Sequence, residues 1–339
     1  MLAAATALID DVVAEGRVPG AVLATREGVH AVGRLATDGP PVAADTIYDL
    51  ASLTKVVATL PCVLHLVANA GVGLDDPLSR YVPTFDHGRD RVTLRHLLTH
   101  TSGLPDGYPY FAMEGTPADR WAAVAAAAPV TEPDRLMVYS DIGFMLLGLV
   151  VERVTGAGLD EVAARVVFEP LGMKSTRYQP PAAWWPRCAA TEADATGRPK
   201  VGVVHDENAE SLGGVAGHAG LFGTAPDIAV YVQAWADPAV DVIRPDLRLE
   251  ALRCQTAHVG ACRGLGWTLR GDRWDHMGEV WPGSGAGHTG FTGTSIGFDP
   301  VSGAWAVLLT NGVHLGRDNS AVKELRRAVH DALAPAPAR

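Results

Sequence analysis

Apolar positions recur along the chain with two different periods, and each change of period marks a new element. Leu2, Ala5, Leu8, Ile9, Val12 and Val13 follow three- and four-residue spacing, which predicts an amphipathic helix. Gly16 and the next "VPG" stop it. "AVLATREGVHAVGRLA" predicts two strands joined at Glu27-Gly28. A helix is expected to begin near Ser52, and Pro61 inside it should kink it or end its first segment, because the ring removes a backbone donor. "AGVGLDDPLSRYVP" reads as loop, and "VTLRHLLTH" as a short helix entered through Thr93. From about 115 to 180 the chain is mostly helical, with "SDIGFMLLGLVVERVTG" the clearest case. Residues 180–220 are rich in Pro, Gly and Ala and read as loop, before "APDIAVYVQAW" returns to helix. "GLGWTLR", "HTGFTGTSIGFDP" and "AWAVLLTNG" read as strands, the last two joined by "DPVSG", and "SAVKELRRAVHDAL" closes as a helix.

Strands at both ends and helices between them predict an α+β fold: an antiparallel sheet built from both termini, flanked by helices, with a helical insertion. The expected division is a sheet domain from residues 1–75 and 215–339, a mostly helical domain from 76–214, and an active site between them. Hydrophobic residues at 47% and charged residues at 19% describe a globular chain. A formal net charge of −10 points away from nucleic acid and from an anionic membrane as partners. Cys62, Cys188, Cys254 and Cys262 match no zinc spacing and are expected to be free, buried thiols, although Cys254 and Cys262 are near enough in sequence to pair. The first residues lack a basic region, and Asp10, Asp11 and Glu15 interrupt any apolar run. With no apolar run of the ~20 residues that a membrane span needs, the expectation is a cytoplasmic protein, which a trimmed secreted form would resemble. The sequence leaves the oligomeric state open.

The chemistry starts at "SLTK". Ser52 and Lys55 are three apart, on one helical face, in a chain with four lysines. A serine at a helix start lies near unpaired N–H groups and the positive end of the dipole. A buried lysine one turn later can reach its hydroxyl and, with a lowered pKa, serve as its base. Read alone, the pair is better explained as an N-cap serine and a solvated lysine, and Ser320 and Lys323 repeat the spacing in the last helix. Three later segments set the first pair apart from the second: "VTLRHLLTHTSGLP", "VYSDIGFMLLG" and "GHTGFTGTSIGF" come after Ser52 in that order.

With "LTKVVATL" and "LDDPLSRYVPTF", these segments resemble the serine β-lactamase and penicillin-binding protein superfamily, on the branch of class C β-lactamases, D,D-carboxypeptidases and esterases, from about residue 15 to 315. "VVHDENAESLGGVAGHAGLFGTAPDIA" resembles a sub-branch described as serine hydrolases or D,D-carboxypeptidases. The resemblance implies a β-lactamase/transpeptidase-like fold with Ser52 as acyl-forming nucleophile, Lys55 assisting its deprotonation, and Tyr139 passing protons to the leaving group. A tyrosine, ordinarily of pKa about 10, does this near neutrality only as a cation-stabilised phenolate; otherwise it stays neutral and relays. The N–H groups of Ser52 and Phe291 would form the oxyanion hole, with Gly290 allowing close approach and Asp141, His288 and Thr289 facing substrate, the third motif lying on an edge strand.

Two residues depart from the commoner pattern. Asp141 stands where asparagine is usual; ionised, it only accepts hydrogen bonds and should raise the pKa of Lys55. Its alternative role is to cap the helix "IGFMLLG". His288 stands where lysine is usual and, when neutral, gives a weaker anchor for a substrate carboxylate. His218 and the His205-Asp206 pair can line the site or serve as hydrogen-bonded structural residues. His96 and His100 have zinc-like spacing without the glutamate of His-Glu-x-x-His and read as packing and loop anchors. "GTSIG" around Ser295 lacks the strand–turn–helix context of a nucleophile elbow. No phosphate or dinucleotide motif implies a cofactor, and no metal is expected.

The function expected is hydrolysis of a small-molecule ester or amide through an acyl-enzyme on Ser52, esterase or D,D-peptidase-like. A β-lactamase, an acyl transferase or a catalytically weak penicillin-binding sensor on the same scaffold are the alternatives. Ser52→Ala is expected to abolish acylation, whereas Ser295→Ala and Ser320→Ala are not; a fully active Ser52→Ala protein would remove the proposed nucleophile.

Overall fold

The computed structural model describes residues 1–85, 91–193, 196–237, 243–318 and 320–335. Helix α1 (Leu2–Ala14) leads into strands β1 (Gly20–Thr25) and β2 (Gly28–Gly33), then β3 (Ile47–Asp49). A π-helical turn (Lys55–Thr59) precedes α2 (Leu60–Asn69). The middle holds α3 (Leu94–Leu98), α4 (Pro117–Ala125), α5 (Asp141–Thr155), α6 (Leu159–Ala163), β4 (Arg177–Tyr178) and α7 (Glu207–Ser211). Then come β5 (Leu221–Thr224), α8 (Ala225–Ala236), α9 (Pro245–Leu252), β6 (Thr268–Leu269), β7 (Ala286–Thr289), β8 (Ser295–Phe298), β9 (Trp305–Thr310) and α10 (Ser320–Leu333).

The larger sheet runs β2-β1-β9-β8-β7-β6, antiparallel throughout, and draws its strands from both ends of the chain. It is covered on both sides. Ala21, Leu23, Ala306 and Leu308 pack with Ile9 of α1 and Leu325 and Val329 of α10. The alternate residues Val22, Ala24, Val307 and Leu309 join the main core with Trp235 of α8, Trp267 and Phe298. Burial on both faces explains why β1 and β9 read as continuous apolar runs rather than as an alternation.

Three expectations need correction. A second small sheet, β3-β5-β4, was not legible in the sequence, because its strands are only two to four residues long. "HTGFTGTSIGFDP" is not one strand: a turn at 290–294, closed by Gly290 N–H to the Thr294 carbonyl at 2.7 Å, splits it into β7 and β8. The third motif therefore does not lie on a full edge strand; β6 pairs with Ala286 and Gly287 only, and the sheet is open beside His288 and Thr289. Among the thiols, all free, Cys62 and Cys188 are buried as expected, while Cys254 and Cys262 are partly exposed.

Pro61 acts through the π turn. In that wider turn the Leu60 N–H returns to the Lys55 carbonyl. The next carbonyl, Val56, would take its bond from residue 61, and a proline has no N–H to give. The hydroxyl of Tyr231, on α8, donates to Val56 instead. Both residues are fully buried, so loss of this donor strands a polar atom in the core. Tyr231→Phe is expected to destabilise the protein by roughly 1–3 kcal/mol; urea unfolding measures it, and an unchanged midpoint would mean that Val56 finds another partner.

Candidate active site

Ser52 sits between β3 and the π turn, and the backbone that delivers it is strained. Ala51 has φ +47°, a left-handed conformation that costs an L-residue about 1–2 kcal/mol. Asp49 holds it there: its Oδ1 accepts the Ala51 N–H at 2.8 Å and its Oδ2 the His205 N–H at 2.6 Å. Thr54 Oγ1 accepts the Leu221 N–H at 3.1 Å and ties the start of the helix to β5. Asp49 is buried, and burial pushes its pKa up against the two backbone donors that pull it down.

Lys55 is fully buried, one turn after Ser52. Its Nζ lies 2.9 Å from Ser52 Oγ, 3.3 Å from the His218 carbonyl oxygen and 2.7 Å from Asp141 Oδ1. Burial alone would lower its pKa; the Asp141 carboxylate and then Tyr139 outweigh burial, and the net direction is upward. The His218 carbonyl arrives on a loop wedged against α5, where a Cβ on Gly217 would stand 2.0 Å from the Phe144 carbonyl oxygen. The His218 ring bonds through Nε2 to Asp206 Oδ1 at 2.9 Å. Burial would raise Asp206, but the neighbouring His218 ring and its hydrogen bond, with the Ala209 N–H, hold it well below the usual carboxylate range. His218 thus contributes its backbone to the site and uses its ring as an anchor.

Tyr139 stands two residues before α5. Ser140, not Asp141, caps that helix, its hydroxyl accepting the Gly143 N–H at 3.3 Å and donating to the Pro105 carbonyl at 2.6 Å. This leaves the Asp141 carboxylate free for Lys55. His100, itself left-handed at φ +61°, takes the Ser140 N–H on Nδ1 at 3.1 Å and the Val138 N–H on its carbonyl at 2.9 Å, bracketing Tyr139. Its ring lies 4.5 Å from that of Tyr139. Burial first, then Arg263 and Lys55, keep His100 neutral, with a pKa well below 6.5. His96 stays on the surface side, bonding the Thr93 N–H and Asp134. Two cations flank the Tyr139 ring, Lys55 Nζ at 4.8 Å and the guanidinium of Arg263 at 5.8 Å from its centroid. Arg263 is buried, bonds Thr268 at 2.8 Å and pairs with Asp272 at 3.4 Å.

The 290–294 turn faces the same place. Thr292 and Thr294 donate from their hydroxyls to the carbonyls of Asp49 and Leu50, at 2.7 and 3.1 Å, fastening the turn to the segment that carries Ser52. Gly290 is required: a Cβ there would lie 2.2 Å from Thr294 Oγ1 and 2.5 Å from the Leu50 carbonyl oxygen. The N–H groups of Ser52 and Phe291 have no protein acceptor among the described residues. Phe291 is exposed and stacks on His205 at 5.7 Å. His288 is buried; burial, then Lys55 and Arg263, keep it neutral, and Nδ1 is committed to the Thr289 carbonyl at 2.9 Å. A neutral imidazole with its N–H spent on the backbone offers no cationic anchor. Ser295 is buried at the start of β8, opposite Thr289, which removes "GTSIG" as a nucleophile elbow.

A cleft of about 650 Å³ opens beside Tyr139 and Asp141, with Tyr108, Phe111 and Trp274 exposed around it and Asp106 and Arg273 on its walls. The sequence reading missed Asp49, Arg263 and the two threonines. Asp49 had a signal, since an aspartate two residues before a strained position is the pattern of an Asx turn. Arg263 had none, because it lies in an apolar stretch far along the chain from Tyr139. No group of three or more His, Cys, Asp or Glu that could hold a metal ion is present among the described residues.

The geometry agrees with what the chain resembles. The beta-lactamase family model matches residues 5–331. A protein of Escherichia coli (strain K12), named "Putative D-alanyl-D-alanine carboxypeptidase", is 32% identical over 302 residues, covering 79% of this chain and 70% of that one. A Salmonella typhi protein of the same name is 31% identical over 303 residues, covering 80% and 70%. Among solved structures, the hydrolase with promiscuous acyltransferase activity EstCE1 superposes with a TM-score of 0.80 at 23% identity, covering 97% of this chain and 98% of the other. Simvastatin synthase of Aspergillus terreus gives 0.76 at 21%, covering 98% and 96%. At those identities the two structures show the fold alone. The match from end to end of the described fold makes this chain a member of the beta-lactamase family, a serine hydrolase with the α+β architecture of that family.

Proposed function

We propose that the protein hydrolyses esters, and amides of D-amino-acid type, through an acyl-enzyme on Ser52. The observation that carries this reading is the set of oxygens around Lys55. An ammonium can only donate, and Nζ is set among the Ser52 and Tyr139 hydroxyls, the His218 carbonyl and, at 2.7 Å, Asp141 Oδ1. The last two only accept. A neutral amine could serve both and still accept from Ser52; the Asp141 carboxylate beside it favours the charged form, which makes Lys55 a donor to Ser52 Oγ and leaves the serine proton free to point elsewhere.

The steps follow from that polarity. Tyr139, between Lys55 and Arg263, relays the Ser52 proton: its oxygen accepts it as Oγ attacks the carbonyl carbon, and its own hydroxyl proton becomes the one available to the leaving group. Lys55 stabilises the developing serine alkoxide, and the N–H groups of Ser52 and Phe291 receive the carbonyl oxygen as it becomes an oxyanion. Tyr139 gives its hydroxyl proton to the leaving oxygen or nitrogen. Water then attacks the Ser52 ester by the reverse sequence.

Within the substrate class, the neutral, committed His288 argues against dependence on a substrate carboxylate. The exposed aromatic rings at the cleft suit an apolar or aromatic group. Both favour a small ester. The names of the curated relatives support a D,D-carboxypeptidase as the second reading.

Time-resolved intact mass of wild type beside Ser52→Ala, with a short p-nitrophenyl ester and separately with a penicillin, tests this. Expected is an adduct on the Ser52-containing protein only, decaying faster with the ester. No adduct and no turnover with either compound would favour a binding role.

The charge on Lys55 is tested by Asp141→Asn. The substitution removes the largest upward push on Lys55 and leaves burial to lower its pKa. Because the mechanism needs the ammonium, the alkaline fall of kcat/KM should move to lower pH. The raised pKa of Lys55 adds stability that is complete below its ordinary value and is lost as pH rises through the folded one. Removing Asp141 should therefore cost roughly 1–3 kcal/mol near neutrality, less than for a fully buried pair because Asp141 is one-third exposed. A faster enzyme at neutral pH would instead identify neutral lysine as the base.

A further inference from the structure

We propose that Arg326, on α10, is a positioning residue for the oxyanion hole: its guanidinium holds and polarises the peptide that joins Gly290 to Phe291. The inference rests on the reading of the Phe291 N–H as an oxyanion donor.

Arg326 is buried, and no carboxylate pairs with it among the described residues. Burial pulls its pKa down to about 9, so it is charged at neutral pH. An unpaired buried cation is costly, and an apolar side chain of similar volume would fill the space without that cost. What the charge does instead is specific. One nitrogen, Nη2, donates to the Gly290 carbonyl at 2.7 Å and to the Thr294 carbonyl at 2.8 Å, the two ends of the turn that separates β7 from β8.

The Gly290 carbonyl and the Phe291 N–H belong to one planar unit, and no peptide bond among the described residues is cis. In a trans peptide the two groups point in opposite directions. A guanidinium that pins the oxygen from within the core turns the N–H away from the core, towards the exposed side where Phe291 lies. A charge-assisted bond to the oxygen also draws electron density from the amide and makes its N–H a stronger donor. The second bond, to Thr294, fixes the far end of the turn, whose Thr292 and Thr294 hydroxyls already hold the Ser52 segment. Arg326 thus completes a clamp that sets one oxyanion donor relative to the other, without touching substrate.

The test compares wild type, Arg326→Met and Arg326→Gln with p-nitrophenyl acetate and with phenylboronic acid, whose tetrahedral adduct on Ser52 Oγ places an oxygen in the oxyanion position. Loss of a whole oxyanion donor costs about 100- to 1,000-fold in kcat. Here the donor is kept but loosened and weakened, so Arg326→Met should lower kcat about 10- to 30-fold. KM should stay within about threefold, and boronate affinity should fall in step with kcat/KM. Arg326→Gln keeps a neutral donor and should lose about 3- to 10-fold in both readouts. Circular dichroism and thermal melting report folding; should Arg326→Met not fold, the glutamine variant decides. A folded variant with kcat within about twofold of wild type and unchanged boronate affinity would overturn the proposal. So would a loss confined to KM. If Ser52→Ala hydrolyses the ester as well as wild type does, the Ser52 reading falls and this inference with it. A Ser52-dependent enzyme indifferent to Arg326 overturns this inference alone.

Discussion

A single buried ammonium organises the site. Lys55 is fully buried, so its protons must find oxygens in the protein, and those oxygens come from separate parts of the chain. Ser52 lies one turn earlier, Asp141 opens α5, and the His218 carbonyl is carried by a loop that only glycine can bring close enough to α5. Satisfying the lysine therefore brings the nucleophile, the segment that holds Tyr139 and the loop of His218 to one point. The π turn and its rescue by Tyr231 serve the same end, because they let the helix continue past a proline while Lys55 keeps its place.

Around that cation the protein keeps two histidines uncharged. His100 and His288 are both buried near Lys55 and Arg263, and both burial and like charge oppose a further proton. Neutral, each can bond the backbone that frames Tyr139 or the third motif without adding repulsion. Asp141 is the counterpart: it supplies the negative charge that makes a buried lysine tolerable and fixes it as a donor. In this protein the aspartate departs from the commoner asparagine in the direction that favours the charged form of its neighbour.

The oxyanion side is built by a different device. The strain at Ala51 is unfavourable alone, and Ala51 and the turn at 290–294 are held by hydrogen bonds between their segments or to buried side chains. The cost is local, while the stabilising contacts come from β3, the threonines of the turn and α10, as expected of functional geometry that the surrounding structure over-determines.

The sequence by itself determined the order of the elements, the α+β class and Thr93 as a cap, while Ser52, Lys55, Tyr139 and the Thr289-Gly290 motif were singled out by the family resemblance that their succession carries and not by spacing alone. The elements and the cap are legible because they depend on neighbours within one turn or one strand, where periodicity and turn chemistry are written directly. Which residue caps α5 was less legible, and Ser140 took the capping role that had been open to Asp141. Only the tertiary structure decided that an apparent single strand breaks at Gly290, that Asp49 holds the strained Ala51, that Arg263 lies beside Tyr139 and that Arg326 bonds both ends of the 290–294 turn. Those outcomes depend on hydrogen bonds and burial between residues far apart in the chain, and neither leaves a periodic trace in the sequence.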